Sequence, residues 1–397
     1  MTANEELFDA QIRHQIELRG YSSYVLQRVN KVLDRADKEL AEKLRARLPE
    51  FDPAKIDFTS ERWKALLADI AAMRAAAAAE IDQITTTETR GLAKVEAAHE
   101  LATLQAAIPI EIELAAVDAR QIAAIAMKRP FQGKLLSEWL TDVATADKKR
   151  IAQAVQLGMS TGEPVDEIVR RIIGTRKNKY ADGIVAMNRR GAQAMVRTAI
   201  NHVSNAAREQ VMEANSDIIA CEIWTSTLDG RTTAVCRARD GKGSKIGGKK
   251  LPEGIEPLIP NGARPPAHVG CRSLMIAYID GVGLLGDRPQ VVDVRTRQRR
   301  EIDFRAEAKA SGRKIQDVRK DWAEKNVGSV PAETTYQQFL ERQSVEFQEQ
   351  VLGKAKAALF RKGGLKLDQF IDRAGNELTL KQLAERVPGA FREAGIT

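Results

Sequence analysis

Cys236, His268 and Cys271 are the side chains of this 397-residue sequence whose types and spacing best suit chemistry. His268 and Cys271 stand as H-x-x-C directly after the Pro265–Pro266 pair, with Cys236 well upstream. A loop could therefore close two thiolates and an imidazole around one ion, and zinc favours such a ligand set. A fourth ligand is missing from the pattern, and Asp240 or Asp229 could supply it. A closed site of that kind would fasten a lobe too small to build its own core. The alternative is that Cys236 and Cys271 are small buried apolar residues, as free cysteines often are. Catalytic zinc lacks its usual companions, because neither HExxH nor H-x-E with P-C-x-x-C is present. A cysteine nucleophile with His268 as its base finds no orienting third residue. Asp229 and Arg231 flank Gly230 in a D-G-R element that reads as a stabilised tight turn rather than a ligand site. Asp240–Gly241 opens the stretch GKGSKIGGKK, which is no phosphate loop, since it has the wrong spacing and leads into the helix-breaking LPEGIEPLIP. His14, His99 and His202 are far apart in sequence on predicted helices, and read as ordinary surface or packing residues.

These ligands need a frame. Between Ile218 and Ile279 the runs CEIW and SLMIAYI, separated by a stretch rich in glycine, proline and lysine, predict a small strand-containing lobe. Its middle, from Asp240 to Pro266, is long for a connection, which points to a functional or partly disordered element. Upstream, apolar residues at three- and four-residue spacing (Trp63, Leu66, Leu67, Ile70, Met73, Ala77, Ile81, Ile84) predict a helix over 61–87, capped by Thr59 or Ser60. Another alanine-rich helical stretch runs from Leu92 to Leu104 and a further one from Ile110 to Met127, with Pro109 and Pro130 as breakers. Helices are then expected over 135–143, 148–157, 165–173 and 186–214, and after a basic run at 290–320, over 336–361 and from about 379 to before Pro388. The fold class is thus mainly α with a small α+β lobe: an N-terminal helical bundle or hairpin, central helices, a strand-containing lobe around 218–280, and C-terminal helices. Three regions follow: 1–130, a bundle or an oligomerisation arm; 131–280, which includes the Cys/His lobe; and 281–397, a basic linker with C-terminal helices.

Composition narrows the class. Aromatic residues make up only 5% of the chain while alanine is abundant, which favours long helices over sheets. Three cysteines are too few for a secreted disulfide scaffold, and synthesis in a reducing cytoplasm fits them best. No export signal or membrane span is recognisable. The net charge of +8 suits a polyanionic neighbour. Residues 170–250 carry 16 Lys and Arg against 7 Asp and Glu, and without interleaved aromatics that pattern would support non-specific rather than sequence-reading contact with DNA.

The motifs together resemble a known family. Arg197–Thr198 ends a helical segment; Trp224 leads through Asp229 to Arg231 and Thr232 as W-x-x-x-x-D-x-R-T; Cys236 precedes Asp240–Gly241; and Pro265, Pro266, His268, Cys271 and Arg272 close as P-P-x-H-x-x-C-R. Near the C-terminus, TTYQQFLERQ, a V-L-G helix and a closing L-T-L-x-x-L add to the likeness. In these respects the chain resembles the phage head-morphogenesis proteins that include the Mu F-like minor head proteins, over roughly residues 130–385. It departs from them at Ser273, where members often carry the second cysteine of C-R-C, and that removes one possible ligand. The resemblance implies a non-enzymatic minor component of a tailed-phage virion, in the head or neck region. Such a component would be made in the host cytoplasm, partnered by the portal or major capsid protein, able to oligomerise, needed for head assembly and able to leave with the DNA. A DNA-binding or DNA-delivery virion protein is the alternative. An enzyme or toxin-linked domain is a weaker one, because it would have to lie in residues 1–130, which offer few candidate residues.

Overall fold

The computed structural model describes residues 3–52, 55, 57–108, 113–178, 180–260, 262–279 and 287–396. The proposed breaker Pro109 and the helix start at Ile110 lie outside them. Helices α1 (Ala3–Arg47) and α2 (Glu61–Ala107) form an antiparallel hairpin. Gln11 meets Glu100, His14 meets Glu96, Arg28 meets Glu88, Arg35 meets Glu80 and Lys43 meets Asp69 along its length. Ser60 caps α2 by accepting a hydrogen bond from the Trp63 backbone N–H, and Trp63, Leu66, Ile70 and Ile81 of the predicted stripe are buried. The helix does not stop at residue 87. Thr85 and Thr89 donate their hydroxyls to the carbonyls of Ile81 and Thr85, so the polar run that looked like an ending is satisfied inside the helix.

The short α3 (Ala119–Lys128) follows, and then α4 (Leu136–Ser160) joins the two predicted segments at 135–143 and 148–157, since no glycine or proline parts them. After α5 (Val165–Ile173) comes α6 (Ile184–Ala214), the axis of the molecule, which packs against α1, α2, α3, α4, α5 and the lobe. Leu26, Val29, Leu33, Ile81, Leu140, Val196 and Ile200 make a continuous core where α1, α2, α4 and α6 meet. Because α6 is surrounded, even its polar residues Asn188, Asn201, Ser204, Asn205 and Arg208 are buried, and each must find a partner.

The lobe is a sheet of order β3-β1-β4, built from β1 (Cys221–Thr225), β3 (Gly243–Lys245) and β4 (Leu274–Tyr278), antiparallel throughout, with Ile223 opposite Ile276. Strand β2 (Leu228–Asp229) and helix α7 (Ala234–Arg239) lie between β1 and β3 in sequence. Two strands fall beyond the predicted lobe: β5 (Asp287–Val291) pairs parallel with β2 and antiparallel with β6 (Val327–Pro331). The basic run forms α8 (Arg297–Ser311) and α9 (Ile315–Asn326). The helix expected over 336–361 is three: α10 (Tyr336–Glu341), α11 (Val345–Leu352) and α12 (Lys354–Arg361). Ser344 caps a fresh start and Gly353, at φ +80°, ends it, so the chain turns and buries Phe339, Phe347 and Phe360 in one cluster. Thr379 caps α13 (Leu380–Arg386), and α14 (Pro388–Ala394) closes the described chain.

Candidate metal centre

Cys236 lies in α7, while His268 and Cys271 sit on the turn that enters β4. The fold brings the three together. The two sulfurs are 3.7 Å apart, His268 Nε2 is 3.4 Å from Cys236 Sγ, and all three ligand atoms lie within 4.8 Å of one another. The sulfurs are too far apart to be bonded, and none of the three cysteines forms a disulfide. His268 Nδ1 faces the Val269 carbonyl at 3.0 Å, which as a donor leaves Nε2 with its lone pair directed at the thiols. Thr233 Oγ1 stands 2.9 Å from the same Nε2, at the exposed rim. Hydrogen bonding to its neighbour, aided by burial, pushes the Cys236 thiol up; the same bond, with His268, holds Cys271 well below the usual thiol range against burial. The bond to Cys271 raises His268 in turn.

The ligand turn is pinned to α6. Asn201 donates to the Cys271 carbonyl at 2.6 Å, Thr198 Oγ1 accepts from the Gly270 N–H at 2.9 Å, and Asn205 Oδ1 accepts from the Met275 N–H at 3.2 Å. On the α7 side, the Trp224 indole N–H donates to Ser226 Oγ, which donates to the Cys236 carbonyl. Ser273 Oγ sits 3.1 Å from Ser226 Oγ. Sequence reasoning reached Thr198 only through a motif and missed Asn201, Asn205 and Ser226. The signal was available for the asparagines: two poor helix formers four residues apart in an alanine-rich helix need a reason to be there.

The remaining motif residues build the frame rather than the centre. Asp240, offered above as a fourth ligand, is elsewhere: its carboxylate accepts two hydrogen bonds from Arg288, at 2.6 and 2.9 Å, and one each from the Ser226 and Tyr336 backbone N–H groups. Asp229 is committed as well, to a fork from Arg272 at 2.6 and 2.7 Å. The D-G-R turn is present, with the Arg231 N–H donating to Asp229 Oδ1 and its guanidinium 3.4 Å from Oδ2, while the closer fork comes from Arg272. Thr232 donates to the Thr227 carbonyl, and the Arg239 guanidinium lies 5.2 Å from the centre of the buried Trp224 ring. Gly241 has φ +79°, and a Cβ there would come within 2.7 Å of Thr335 Cγ2, so only glycine fits. Pro265 and Pro266 are buried and joined by a cis bond.

The structure also joins two histidines that looked unrelated. His14 and His99 stack at 3.7 Å, and His14 Nε2 is 2.5 Å from Glu96, which also takes Ser204 and Arg208. Burial pushes the Glu96 carboxyl up, but the His14 hydrogen bond and the Arg208 charge outweigh it and hold the group at about 2. Its neighbour Glu100, wholly buried and hydrogen-bonded to Gln11, is pushed up by desolvation to about 7.

No curated protein and no solved structure matches the chain. A family model does: residues 149–276 match the family described as Phage Mu protein F like protein. The matched stretch takes in α5, α6, all three candidate ligands and most of β4. Over this segment the chain is similar to the Mu F-like phage proteins.

Proposed function

We propose that this chain is a minor structural protein of a tailed-phage head, bound to the portal or to the inner face of the major capsid protein and needed for building infectious heads. The observation that carries the reading is the coincidence of the family match with the lobe clamped on α6. Two of its buried carboxylates are matched by their own neighbours, Asp229 by Arg272 and Asp240 by Arg288. Such internal matching suits a rigid structural part better than a site prepared for a substrate. No helix among the described residues is long and apolar enough to cross a membrane.

Part of the cation content over 170–250 is paired within the fold, and the rest is open to a polyanionic neighbour. Arg171 pairs with Glu163, Arg189 with Asp34 and Asp37, Arg208 with Glu96, and Lys242 with Asp368. Quantitative mass spectrometry of purified particles, alongside particles from a phage unable to make the chain, tests the proposal. A few copies per head, with defective heads in the absence of the chain, is the expected result. Normal infectious particles without the chain would overturn it.

A further inference from the structure

We infer that Cys236, Cys271 and His268 bind one zinc-class divalent ion through three protein ligands, with solvent completing the coordination at the Thr233 rim. The inference stands on these side chains and is independent of the assembly role. A tetrahedral zinc with Zn–S near 2.3 Å and Zn–N near 2.0–2.1 Å separates two thiolates by about 3.8 Å, and a thiolate from an imidazole nitrogen by about 3.5 Å. The observed separations, 3.7 Å between sulfurs and 3.4 Å between Cys236 Sγ and His268 Nε2, match that spacing. Two thiols packed as apolar residues need no imidazole beside them, and a disulfide needs the sulfurs much closer.

The supporting shell agrees. A metal-bound histidine commonly donates its other ring N–H to a carbonyl, and His268 Nδ1 faces that of Val269. The carbonyl of Cys271 is fixed by Asn201 and that of Cys236 by Ser226, so both ligand backbones are held before an ion arrives. Among the described residues no carboxylate joins the three, since Asp229 and Asp240 are committed to arginines. The ion would tie α7 to the turn before β4, and through Asn201 and Thr198 to α6.

The full-length chain should be purified under reducing, oxygen-free conditions, loaded with zinc, desalted and assayed for metal by elemental analysis. The expected result is close to one zinc per chain. Cobalt in its place should show thiolate charge-transfer absorption in the near-ultraviolet and the intense visible bands of a tetrahedral site. His268→Gln, at the half-buried rim, should keep native circular dichroism and weaken binding by more than the roughly 10–100-fold that losing a supporting partner costs. The Cys236→Ser, Cys271→Ser variant should bind none; if it does not fold, the cobalt spectrum of the parent and the affinity of His268→Gln decide the matter. No metal in the reduced parent, equal affinity in His268→Gln, a cobalt spectrum without thiolate bands, or recovery of the two cysteines as a disulfide would each overturn the inference.

Discussion

Arg272 holds both carboxylate oxygens of Asp229 in a fork that a lysine could not reproduce, and Asp229 is almost completely buried. Arg272→Ala would leave that buried carboxylate with only the longer contact to the half-exposed Arg231 guanidinium among the ion pairs described. Urea denaturation should show a loss of roughly 3–5 kcal/mol, with Arg272→Lys recovering only part of it. Glu100 makes a second prediction at this scale. Its folded-state pKa of about 7 lies above the ordinary glutamate value, so the native state keeps a proton that the unfolded chain gives up. Its contribution is therefore fully present below about pH 4.5 and is lost as pH rises through 7. Glu100→Gln cannot lose that proton. Between pH 4.5 and pH 8 the variant should gain on the parent by on the order of 3 kcal/mol, read from denaturation midpoints across that range, and a gap that stays constant with pH would contradict the assignment.

Gly241 links α7 to β3, and its positive φ and the approach of Thr335 both exclude a side chain. Gly241→Ala should destabilise the protein by about 1–3 kcal/mol in thermal or chemical unfolding, whereas Gly254→Ala, where φ is also positive but nothing lies within 4 Å, should cost less. Helices were legible in the sequence wherever breakers and caps stand at their ends. Helix α5 sits between Pro164 and Gly174 and falls where the spacing places it, and Ser60 and Thr379 mark real starts. Extents were less legible where a polar run is satisfied within the helix, as at Thr85 and Thr89, or where packing turns the chain, as at Ser344 and Gly353. Cys236, His268 and Cys271 could be picked out because few residue types do their chemistry. The place of Asp240 could not, because Arg288 and Tyr336 reach it from distant parts of the chain. The meeting of His14 with His99 depends on the register of the α1–α2 hairpin, which neither helix states alone.

At the scale of the molecule, the hairpin covers the central helix: Leu18, Val25 and Val29 of α1 and Leu92 of α2 share a core with Met195, Val196 and Ala199 of α6. Removing α1 would uncover that core and strand the Glu96–Arg208 pair beside water. A chain lacking residues 1–58 should lose cooperative thermal unfolding and aggregate on size-exclusion chromatography; a monomer with native circular dichroism would show that the hairpin is an appendage. One contact of α1 has a consequence in time. Ile12 packs against Leu274, Ile276 and Ala332, residues that follow it by most of the chain. At roughly 5–20 residues per second, the ribosome finishes α1 tens of seconds before the strand and turn that cover Ile12 exist. During that interval an amphipathic helix waits beside its nascent partners with one face open, so slowing synthesis ahead of β4 should lower the yield of folded chain more than slowing it afterwards.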